Sequence, residues 1–265
     1  MAGMPYVTVT VGEQAIECEA IVFDKDGTLL DFMELWGRWA DDMLKQAEEK
    51  LNAVGGDWTG SAEKTFGVKR GPDGRIADYD RSGPLALATA EEMTGLLAWQ
   101  LYGAGIPWHE SVDAVRSFVS AAEEHLERDR PVRPLPGLPR LLQEAREAGI
   151  KLAVATSDTT ASAVKHLRWA GLDLFFDCIT GRDLVQEGKP APDLTLEACR
   201  RIGVETRHTI VIGDGGADME MARRAGAALC IGIAPIGMPR KHLQSADLII
   251  ADYNEVKIMF DDPSD

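Results

Sequence analysis

Residues 20–30 read AIVFDKDGTLL, and this stretch decides the predicted fold. Its first residues, Ala20–Phe23, form a continuous apolar run, which is typical of a parallel strand buried on both faces. The run ends in Asp24 and Asp26, and Gly27 then favours a turn. Two carboxylates that directly follow a buried strand are expected at the carboxyl edge of a sheet, where open α/β sheets bind their ligands.

The C-terminal half of the chain alternates between apolar strands and amphipathic helices. The predicted strands are 151–156, 176–180, 209–213, 228–233 and 247–250, and the predicted helices are 138–148, 160–170, 192–201 and 217–225. Repeated strand–helix units favour a parallel sheet with helices on both faces. Near the start, Tyr6–Val11 and Ala15–Cys18 alternate and predict an antiparallel hairpin. The predicted fold class is therefore α/β, with a Rossmann-like parallel sheet.

Residues 31–134 differ from the rest and are predicted to form a mostly helical insertion. Helical periodicity covers 35–51, 91–102 and 112–126, and a turn-rich basic stretch occupies 67–75. A proline-rich segment, 130–137, is interpreted as the linker back to the core. The predicted domains are a core of residues 1–30 and 135–265 and a cap of residues 31–134. Three tryptophans at helical spacing are interpreted as core residues of the cap: Trp36, Trp39 and Trp99.

Composition argues against several classes of function. The 28 basic and 43 acidic side chains give a formal charge of −15, so a general surface field that attracts nucleic acid is not expected. Four scattered cysteines without a C-x-x-C pattern predict no disulfide framework and a reduced, cytoplasmic setting. No signal peptide is expected, because the first residues, MAGMPYVTVTVGEQ, lack a basic region and a long apolar region. No membrane-spanning segment is expected either, because the longest strongly apolar run, Ala225–Met238, is short and glycine-rich. The five histidines are scattered and are interpreted as structural or surface residues.

Further reactive groups follow the later strands. Thr156 and Ser157 end one apolar run, Asp214 ends another, and Asp218 follows four residues later. Lys189 lies in a loop before a helix. Because the carboxyl ends of parallel strands share one edge, these groups can converge with the two aspartates at positions 24 and 26. Each alone has a plainer interpretation, such as a turn residue, a helix cap or a solvated lysine.

Together, these groups predict phosphate chemistry. Four carboxylates at close quarters require a cation, and oxygen ligands favour a hard divalent ion such as Mg²⁺. A carboxylate at a strand end can attack phosphorus and form an aspartyl-phosphate. A second carboxylate two residues on can protonate the leaving oxygen and then deprotonate water. A cation, a lysine and backbone N–H groups would neutralise the charge that develops on the phosphoryl oxygens.

Four stretches, in order, resemble the motifs of the haloacid dehalogenase-like superfamily. They are the D-x-D-G-T-L of residues 24–29, Thr156 after an apolar strand, the K-P-x-P-D of residues 189–193 and the G-D-x-x-x-D of residues 213–218. One motif alone would be weak, but four in order on the expected elements are specific. The position of the insertion, between the first two motifs, resembles the helical C1 cap of the phosphoglycolate phosphatase-like branch.

The resemblance implies a role for each matching residue. Asp24 would be the nucleophile and a metal ligand, and Asp26 the general acid and base, with its backbone carbonyl on the metal. Thr156 would hydrogen-bond the phosphoryl group, and Lys189 would pair with that group and with the nucleophile. Two aspartates complete the metal site, Asp214 directly and Asp218 through the metal or its waters. Ser157 is a further candidate substrate contact, although it also suits a helix cap.

Two positions depart from the family pattern. Lys25 stands where an apolar residue is commoner, which is similar to the D-K-T-G-T of P-type ATPases. Here the third residue is Asp26 and no transmembrane helices are expected, so the ATPase interpretation fails. Gly215 replaces the usual serine or threonine of the fourth motif, which removes one hydroxyl near the metal.

The predicted function is a Mg²⁺-dependent phosphatase of a small soluble phosphate ester, with phosphoglycolate as the leading candidate. A mutase of the same branch needs the same motifs and remains an alternative. A phosphonatase would need a Schiff-base lysine in the cap, for which Lys45, Lys50 and Lys64 are available. A dehalogenase would leave Asp26 without a role. A non-catalytic phosphate-binding protein would be expected to lack at least one of the motif residues, and none is missing.

Substrate choice is predicted to depend on the cap, which can close over the site as a lid. Within an otherwise acidic protein, the turn-rich stretch and the residues next to it carry a cluster of cations: Lys64, Lys69, Arg70, Arg75 and Arg81. Each alone is an ordinary solvated charge, but at least one of the cluster is expected to face the site. Such a cation would bind a second anionic group on the substrate. The hypothesis names Lys69, Arg70, Arg75 and Arg81 as candidate substrate contacts.

Overall fold

A computed structural model describes residues 7–259 of the chain. The described residues fall into two compact units. One unit is Phe32–Pro131, and the residues on either side of it form the other. These limits lie one residue inside the start and three residues inside the end of the predicted cap, 31–134. The predicted hairpin residue Tyr6 lies outside the described residues.

The secondary structure elements are numbered in chain order. The strands are β1 (Val7–Val11), β2 (Gln14–Cys18), β3 (Ala20–Phe23), β4 (Val68–Arg70), β5 (Ile76–Tyr79), β6 (Lys151–Ala155), β7 (Cys178–Thr180), β8 (Thr209–Gly213), β9 (Leu229–Ile233), β10 (Leu248–Ile250) and β11 (Val256–Met259). The helices are α1 (Arg38–Ala53), α2 (Ala62–Phe66), α3 (Pro84–Leu87), α4 (Ala90–Gly103), α5 (Trp108–Asp129), α6 (Leu138–Glu147), α7 (Thr160–Trp169), α8 (Asp193–Ile202) and α9 (Gly216–Ala225). A π-helical turn, Met33–Gly37, precedes α1.

The core unit is built on a six-stranded parallel sheet. Its strand order is β10-β9-β8-β3-β6-β7, so β3 lies between β8 and β6. The register places Phe23 opposite Val154 on one side and Ile212 on the other. The three strands that lead into Asp24, Thr156 and Asp214 are therefore neighbours that end at the same edge. This arrangement confirms the predicted α/β fold with a parallel sheet.

Helices cover both faces of this sheet because its central strands are apolar on both sides. Ile21 and Phe23 pack in one buried cluster, which includes Leu138 and Leu141 of α6. Val22 points to the opposite face, where the buried residues come from α8 and α9, such as Leu194 and Met219. Burying a large apolar side chain contributes about 1.5–3 kcal/mol, so the two clusters fix the sheet from both sides.

A second sheet of the core unit is antiparallel, with the order β11-β1-β2. The pairing of β1 with β2 confirms the predicted hairpin within the described residues. The prediction that 247–250 is the last strand is wrong, because Val256–Met259 forms a later strand that pairs with β1. This strand is short and alternates between buried and exposed residues, a weak signal next to the chain end.

The Phe32–Pro131 unit is helical, with a small two-stranded sheet. Helices α1, α4 and α5 pack against one another. Trp39 of α1 is buried, and its ring centroid lies 6.1 Å from that of Phe66. The turn-rich stretch contains β4 and the turn that follows it, because β4 and β5 pair as an antiparallel hairpin on either side of residues 71–75. Trp99 is 57% exposed, so its interpretation as a core residue is wrong. Helix α4 is apolar around most of its circumference, and spacing alone does not show which face is outward.

Two expectations from composition can be compared with the described residues. All four cysteines lie within this part of the chain and are free thiols: Cys18, Cys178, Cys199 and Cys230. Among residues 7–259, we find no helix with the length and apolar character that crossing a bilayer requires.

Candidate active site

Three carboxylates meet at the carboxyl edge of the central strands. Asp24 directly follows β3, Asp214 directly follows β8, and Asp218 lies in the first turn of α9. Each offers one oxygen atom that lies within 4.8 Å of the oxygens of the other two. A compact set of carboxylate oxygens is the donor chemistry that Mg²⁺ and Ca²⁺ select, so these residues fit a hard divalent cation.

Lys189 joins this cluster from the loop that precedes α8. Its ammonium contacts Asp24 Oδ1 and lies 2.6 Å from Asp218 Oδ1. The three side chains are nearly buried, with no more than 9% of each exposed. Burial opposes the charge of Lys189, but the carboxylates of Asp218 and Asp24 outweigh it and raise the pKa of the lysine. The lysine is therefore cationic at neutral pH and offsets part of the negative charge of the cluster.

The pKa values of the carboxyl groups reflect the negative charge that Lys189 does not offset. Burial raises the pKa of Asp24 to about 6; the adjacent Lys189 lowers it, and Asp218 and Asp26 raise it. Burial and the charges of Asp24 and Asp218 also raise the pKa of Asp214 well above its usual range. Carboxylates that resist ionisation when crowded are stabilised by a bound cation. The electrostatics therefore agree with the donor set.

Glycines of the first and fourth motifs make room for these carboxylates. Gly27 has a φ of +83°, and a Cβ atom there would lie 2.2 Å from Asp214 Oδ2. A Cβ atom at Gly213 would lie 2.4 Å from Cβ of Asp218. The backbone N–H of Gly215 donates to Asp218 Oδ2 at 2.9 Å, which orients that carboxylate. Glycine at position 215 therefore lacks the side-chain hydroxyl of the family pattern, but its backbone N–H still donates to Asp218.

Thr156 and Ser157, at the end of β6, occupy different environments. Thr156 is buried, and its backbone N–H donates to the Thr180 carbonyl at 3.0 Å. Its hydroxyl oxygen accepts a hydrogen bond from the Asp158 N–H at 3.1 Å. The N-cap of α7 is Thr159, so neither residue caps that helix. Ser157 is exposed.

Asp26 is paired with Lys25, the residue that departs from the family pattern of the first motif. Lys25 is fully buried, and its Nζ atom lies 2.8 Å from both carboxylate oxygens of Asp26. The same Nζ atom lies 3.2 Å from Asp158 Oδ2 and 3.1 Å from His166 Nδ1. Burial opposes the charge of Lys25, but Asp26 and Asp158 outweigh it and raise its pKa.

Two buried residues beside the motifs were not singled out by sequence reasoning. His166 is interpreted there only as a structural or surface residue, yet it lies on the buried face of α7 and contacts Lys25. Tyr253 is fully buried, and its hydroxyl donates to the carbonyl of Thr28 at 3.0 Å, which ties down the turn after Asp26. The available signal for His166 was its position among apolar residues of an amphipathic helix. Tyr253 lies in a segment without a motif.

Three of the four basic residues named as candidate substrate contacts are paired within the Phe32–Pro131 unit. Lys69 lies 3.3 Å from Asp78, and Arg81 contacts the same carboxylate and stacks on the ring of Tyr79. Arg70 pairs with Asp41 at 3.0 Å. These contacts are the ordinary ion pairs of a cap surface. The fourth candidate contact, Arg75, is exposed in the turn between β4 and β5.

Comparison with known proteins places the chain among hydrolases. The profile of the haloacid dehalogenase-like hydrolases matches residues 18–226, which is most of the chain. The probable phosphatase IndB of Dickeya dadantii is 38% identical over 115 residues, which cover 43% of this chain and 50% of that protein. The chain thus spans about half the length of this relative. A phosphoglycolate phosphatase of Cupriavidus necator is 28% identical over 217 residues, covering 82% of this chain and 81% of that protein.

Among solved structures, the β-phosphoglucomutase of Clostridium difficile has a TM-score of 0.59 and 19% sequence identity. The alignment covers 90% of this chain and 92% of that one. At this level of identity the likeness concerns the fold alone. The profile match covers all four of the motifs whose residues are described above, and it extends across the insertion. The chain therefore belongs to the haloacid dehalogenase-like hydrolase family.

Proposed function

We propose that this protein is a Mg²⁺-dependent phosphatase that hydrolyses a small phosphate monoester through a phosphorylated Asp24. The observation that carries the proposal is the ammonium of Lys189, which bridges Asp24 and Asp218 beside a third carboxylate, Asp214. A nucleophilic carboxylate, a fixed cation and a cation-binding cluster at one sheet edge are the parts that phosphoryl transfer requires.

In the first half-reaction, an oxygen of Asp24 attacks the phosphorus. A new P–O bond forms, the bond from phosphorus to the ester oxygen breaks, and Asp26 gives a proton to the departing oxygen. Lys189 offsets the charge of the phosphoryl oxygens next to the attacking carboxylate. The Thr156 oxygen accepts from the Asp158 N–H, so its own hydroxyl hydrogen is available to a phosphoryl oxygen.

In the second half-reaction, the phosphoryl group leaves Asp24. Asp26, now a carboxylate, takes a proton from water, and the water oxygen attacks the phosphorus. The bond between phosphorus and Asp24 breaks, and inorganic phosphate departs. The same side chain thus serves as acid and then as base, which restores the starting protonation states.

The residues that would hold Mg²⁺ are Asp24, Asp214 and the backbone carbonyl of Asp26, with Asp218 supporting the metal or its waters. When bound, the ion neutralises charge on the phosphoryl oxygens and offsets the mutual repulsion of the carboxylates. The raised pKa values of Asp24 and Asp214 support a site that is completed by a cation.

The substrate is proposed to be a small phosphorylated metabolite such as phosphoglycolate. One relative that aligns over most of its length is named a phosphoglycolate phosphatase, and this supports the choice. The core residues contact only the phosphoryl group in this scheme, so the rest of the substrate must be recognised elsewhere. We propose that the insertion, residues 31–134, has that role. On its composition, we also propose that the protein is cytoplasmic.

A phosphate-release screen over small phosphate esters tests the proposal. We expect release from at least one ester with Mg²⁺, and none in EDTA or from the Asp24→Asn variant. Since the asparagine keeps the shape of the side chain, this variant should remain folded by circular dichroism. Phosphate release by Asp24→Asn at the wild-type rate would contradict the proposal. Phosphoryl transfer to an added sugar phosphate, without release to water, would instead identify a mutase.

A further inference from the structure

The most unusual group in the core unit is the ammonium of Lys25, which has no exposed surface. Removing a lysine charge from water costs several kcal/mol unless partners compensate. The partners come from three separate segments: Asp26 after β3, Asp158 after β6 and His166 in α7. An apolar residue at position 25 would avoid this cost, so the lysine is expected to have a use.

The surroundings of Lys25 hold its charge and fix its direction. An ammonium can only donate hydrogen bonds, so the Nδ1 atom of His166, 3.1 Å away, must accept one from Lys25. The imidazole ring of His166 is therefore neutral. Burial and the nearby charge of Lys25 lower the pKa of His166 to about 2, which agrees with a neutral ring. Asp158 is itself fixed, because its Oδ1 accepts from the Thr159 N–H at 2.7 Å. Asp158 and His166 thus support Lys25 on the side of β6 and α7, and Asp26 is a further partner of its ammonium.

The two carboxylate oxygens of Asp26 both lie 2.8 Å from the lysine. The Asp26 side chain is 16% exposed, so one side faces the ammonium and another remains open to solvent. A carboxylate held through both oxygens has little freedom to rotate. Proton transfer depends on hydrogen-bond distance and direction, so a rigid carboxylate is an advantage to an acid and base.

We propose that Lys25 is a positioning residue that acts through Asp26, with Asp158 and His166 holding the lysine in place. The inference rests on the proposed phosphatase function, in which Asp26 protonates the departing oxygen. It assigns Lys25 no contact with the substrate. The alternative is a purely structural ion pair that ties the loops after β3 and β6 together.

Two aryl esters of similar size separate these possibilities. Phenyl phosphate and p-nitrophenyl phosphate differ mainly in the basicity of the leaving oxygen, and only the first needs a proton to depart. We expect Lys25→Met to lower kcat/KM for phenyl phosphate at least tenfold more than for p-nitrophenyl phosphate. General acid catalysis contributes ~10²–10⁴-fold, which leaves room for such a difference. A purely structural role would lower both values by the same factor, and this result would overturn the proposal.

A double-mutant cycle provides a second readout. If Lys25 acts through Asp26, Lys25→Met should change kcat/KM less than about twofold in an Asp26→Asn background. If the two substitutions instead lowered kcat/KM independently, so that their factors multiplied in the double variant, the proposal would be contradicted. Lys165→Met is the matched control, because the neighbouring lysine extends over the ring of Trp169, and it should keep both rates. If Lys25→Met does not fold, His166→Phe can be used instead, because it removes one support of the lysine. It should also lower kcat/KM for phenyl phosphate more than for p-nitrophenyl phosphate.

Phosphate release by the wild-type protein distinguishes a failure of the proposed phosphatase function from a failure of the positioning role of Lys25. If the wild-type protein releases no phosphate from any ester, the proposed function fails before Lys25 is tested. If it releases phosphate and the ester ratio of Lys25→Met equals that of the wild type, only the positioning role fails.

Discussion

The Nζ atom of Lys189 lies 2.6 Å from Oδ1 of Asp218, so the loop before α8 is linked to the first turn of α9. The same ammonium contacts Asp24 at the end of β3. One buried cation therefore joins three segments of the core unit that are far apart in the chain. Because it offsets only part of the local negative charge, the carboxylates of Asp24, Asp214 and Asp218 fit a further cation.

Metal binding should stabilise the folded protein. A ligand at a hundredfold excess over its Kd adds about 2.7 kcal/mol to the free energy of unfolding. For a protein of this size, the Tm should rise by on the order of 5 °C or more when Mg²⁺ is added to the EDTA-treated protein. Differential scanning calorimetry would measure the rise, and Asp214→Ala should remove most of it. An equal rise in that variant would place the ion elsewhere.

The stability of the metal-free protein should depend on pH through Asp24. Its pKa is about 6 in the folded state and about 3.8 as the ordinary value, so the folded state binds the proton more tightly. The free energy of unfolding should therefore fall as the pH rises through the window from about 4 to about 6. Asp24→Asn removes the ionisation, so in EDTA at pH 7 it should be more stable than the wild type, by an amount on the order of 1 kcal/mol. Chemical denaturation at pH 4.5 and 7 in EDTA would check both signs, and a less stable variant at pH 7 would refute them.

Gly27 should be irreplaceable for two separable reasons. Gly27→Ala introduces a Cβ atom 2.2 Å from Asp214 Oδ2 and also strains a backbone with a φ of +83°. Gly149→Ala is the matched control, because its φ is +81° and a Cβ atom there meets nothing within 4 Å. Both variants should lose about 1–2 kcal/mol from the backbone, but only Gly27→Ala should lose its Mg²⁺-dependent rise in Tm. A normal Mg²⁺ response in Gly27→Ala would show that Asp214 can move away at little cost.

The hypothesis that a basic residue of the insertion recognises a second anionic group can be tested residue by residue, beginning with Arg75. Lys69, Arg70 and Arg81 are engaged with cap carboxylates, whereas Arg75 is exposed in a turn. Arg75→Ala should lower kcat/KM for phosphoglycolate about tenfold or more and leave p-nitrophenyl phosphate nearly unchanged. Lys69→Ala, Arg70→Ala and Arg81→Ala serve as controls in the same assay. If none of the four changes the ratio, the cap stretch does not recognise charge.

Much of the core could be predicted because it follows from local patterns. The apolar run before Asp24 identifies a buried strand, and the alternation of strands and helices requires a parallel sheet whose carboxyl ends share one edge. The meeting of Asp24 and Asp214 follows from that topology without any knowledge of side-chain packing. Lys189 could be predicted for the same reason, since its motif fixes a loop before a helix at this edge.

Other features depend on tertiary contacts that no local pattern contains. The pairing of Lys25 with His166 joins residues 141 positions apart and requires the burial of a charge, which average preferences disfavour. Strand β11 exists because β1 offers an open edge, and its own four residues carry little signal. The exposure of Trp99 reflects which side of an all-round apolar helix the neighbouring helices cover.

The central claim is that Asp24 carries the phosphoryl group during turnover. The direct test is to mix the Mg²⁺-loaded protein with an ester that it hydrolyses, to quench the reaction rapidly in acid, and to analyse the peptides by mass spectrometry. We predict phosphate on the peptide that contains Asp24, absent without Mg²⁺, absent in Asp24→Asn and lost at the rate of turnover when the substrate is exhausted. Wild-type turnover with no phosphorylated Asp24 peptide at any quench time, or phosphate on another residue, would contradict the claim.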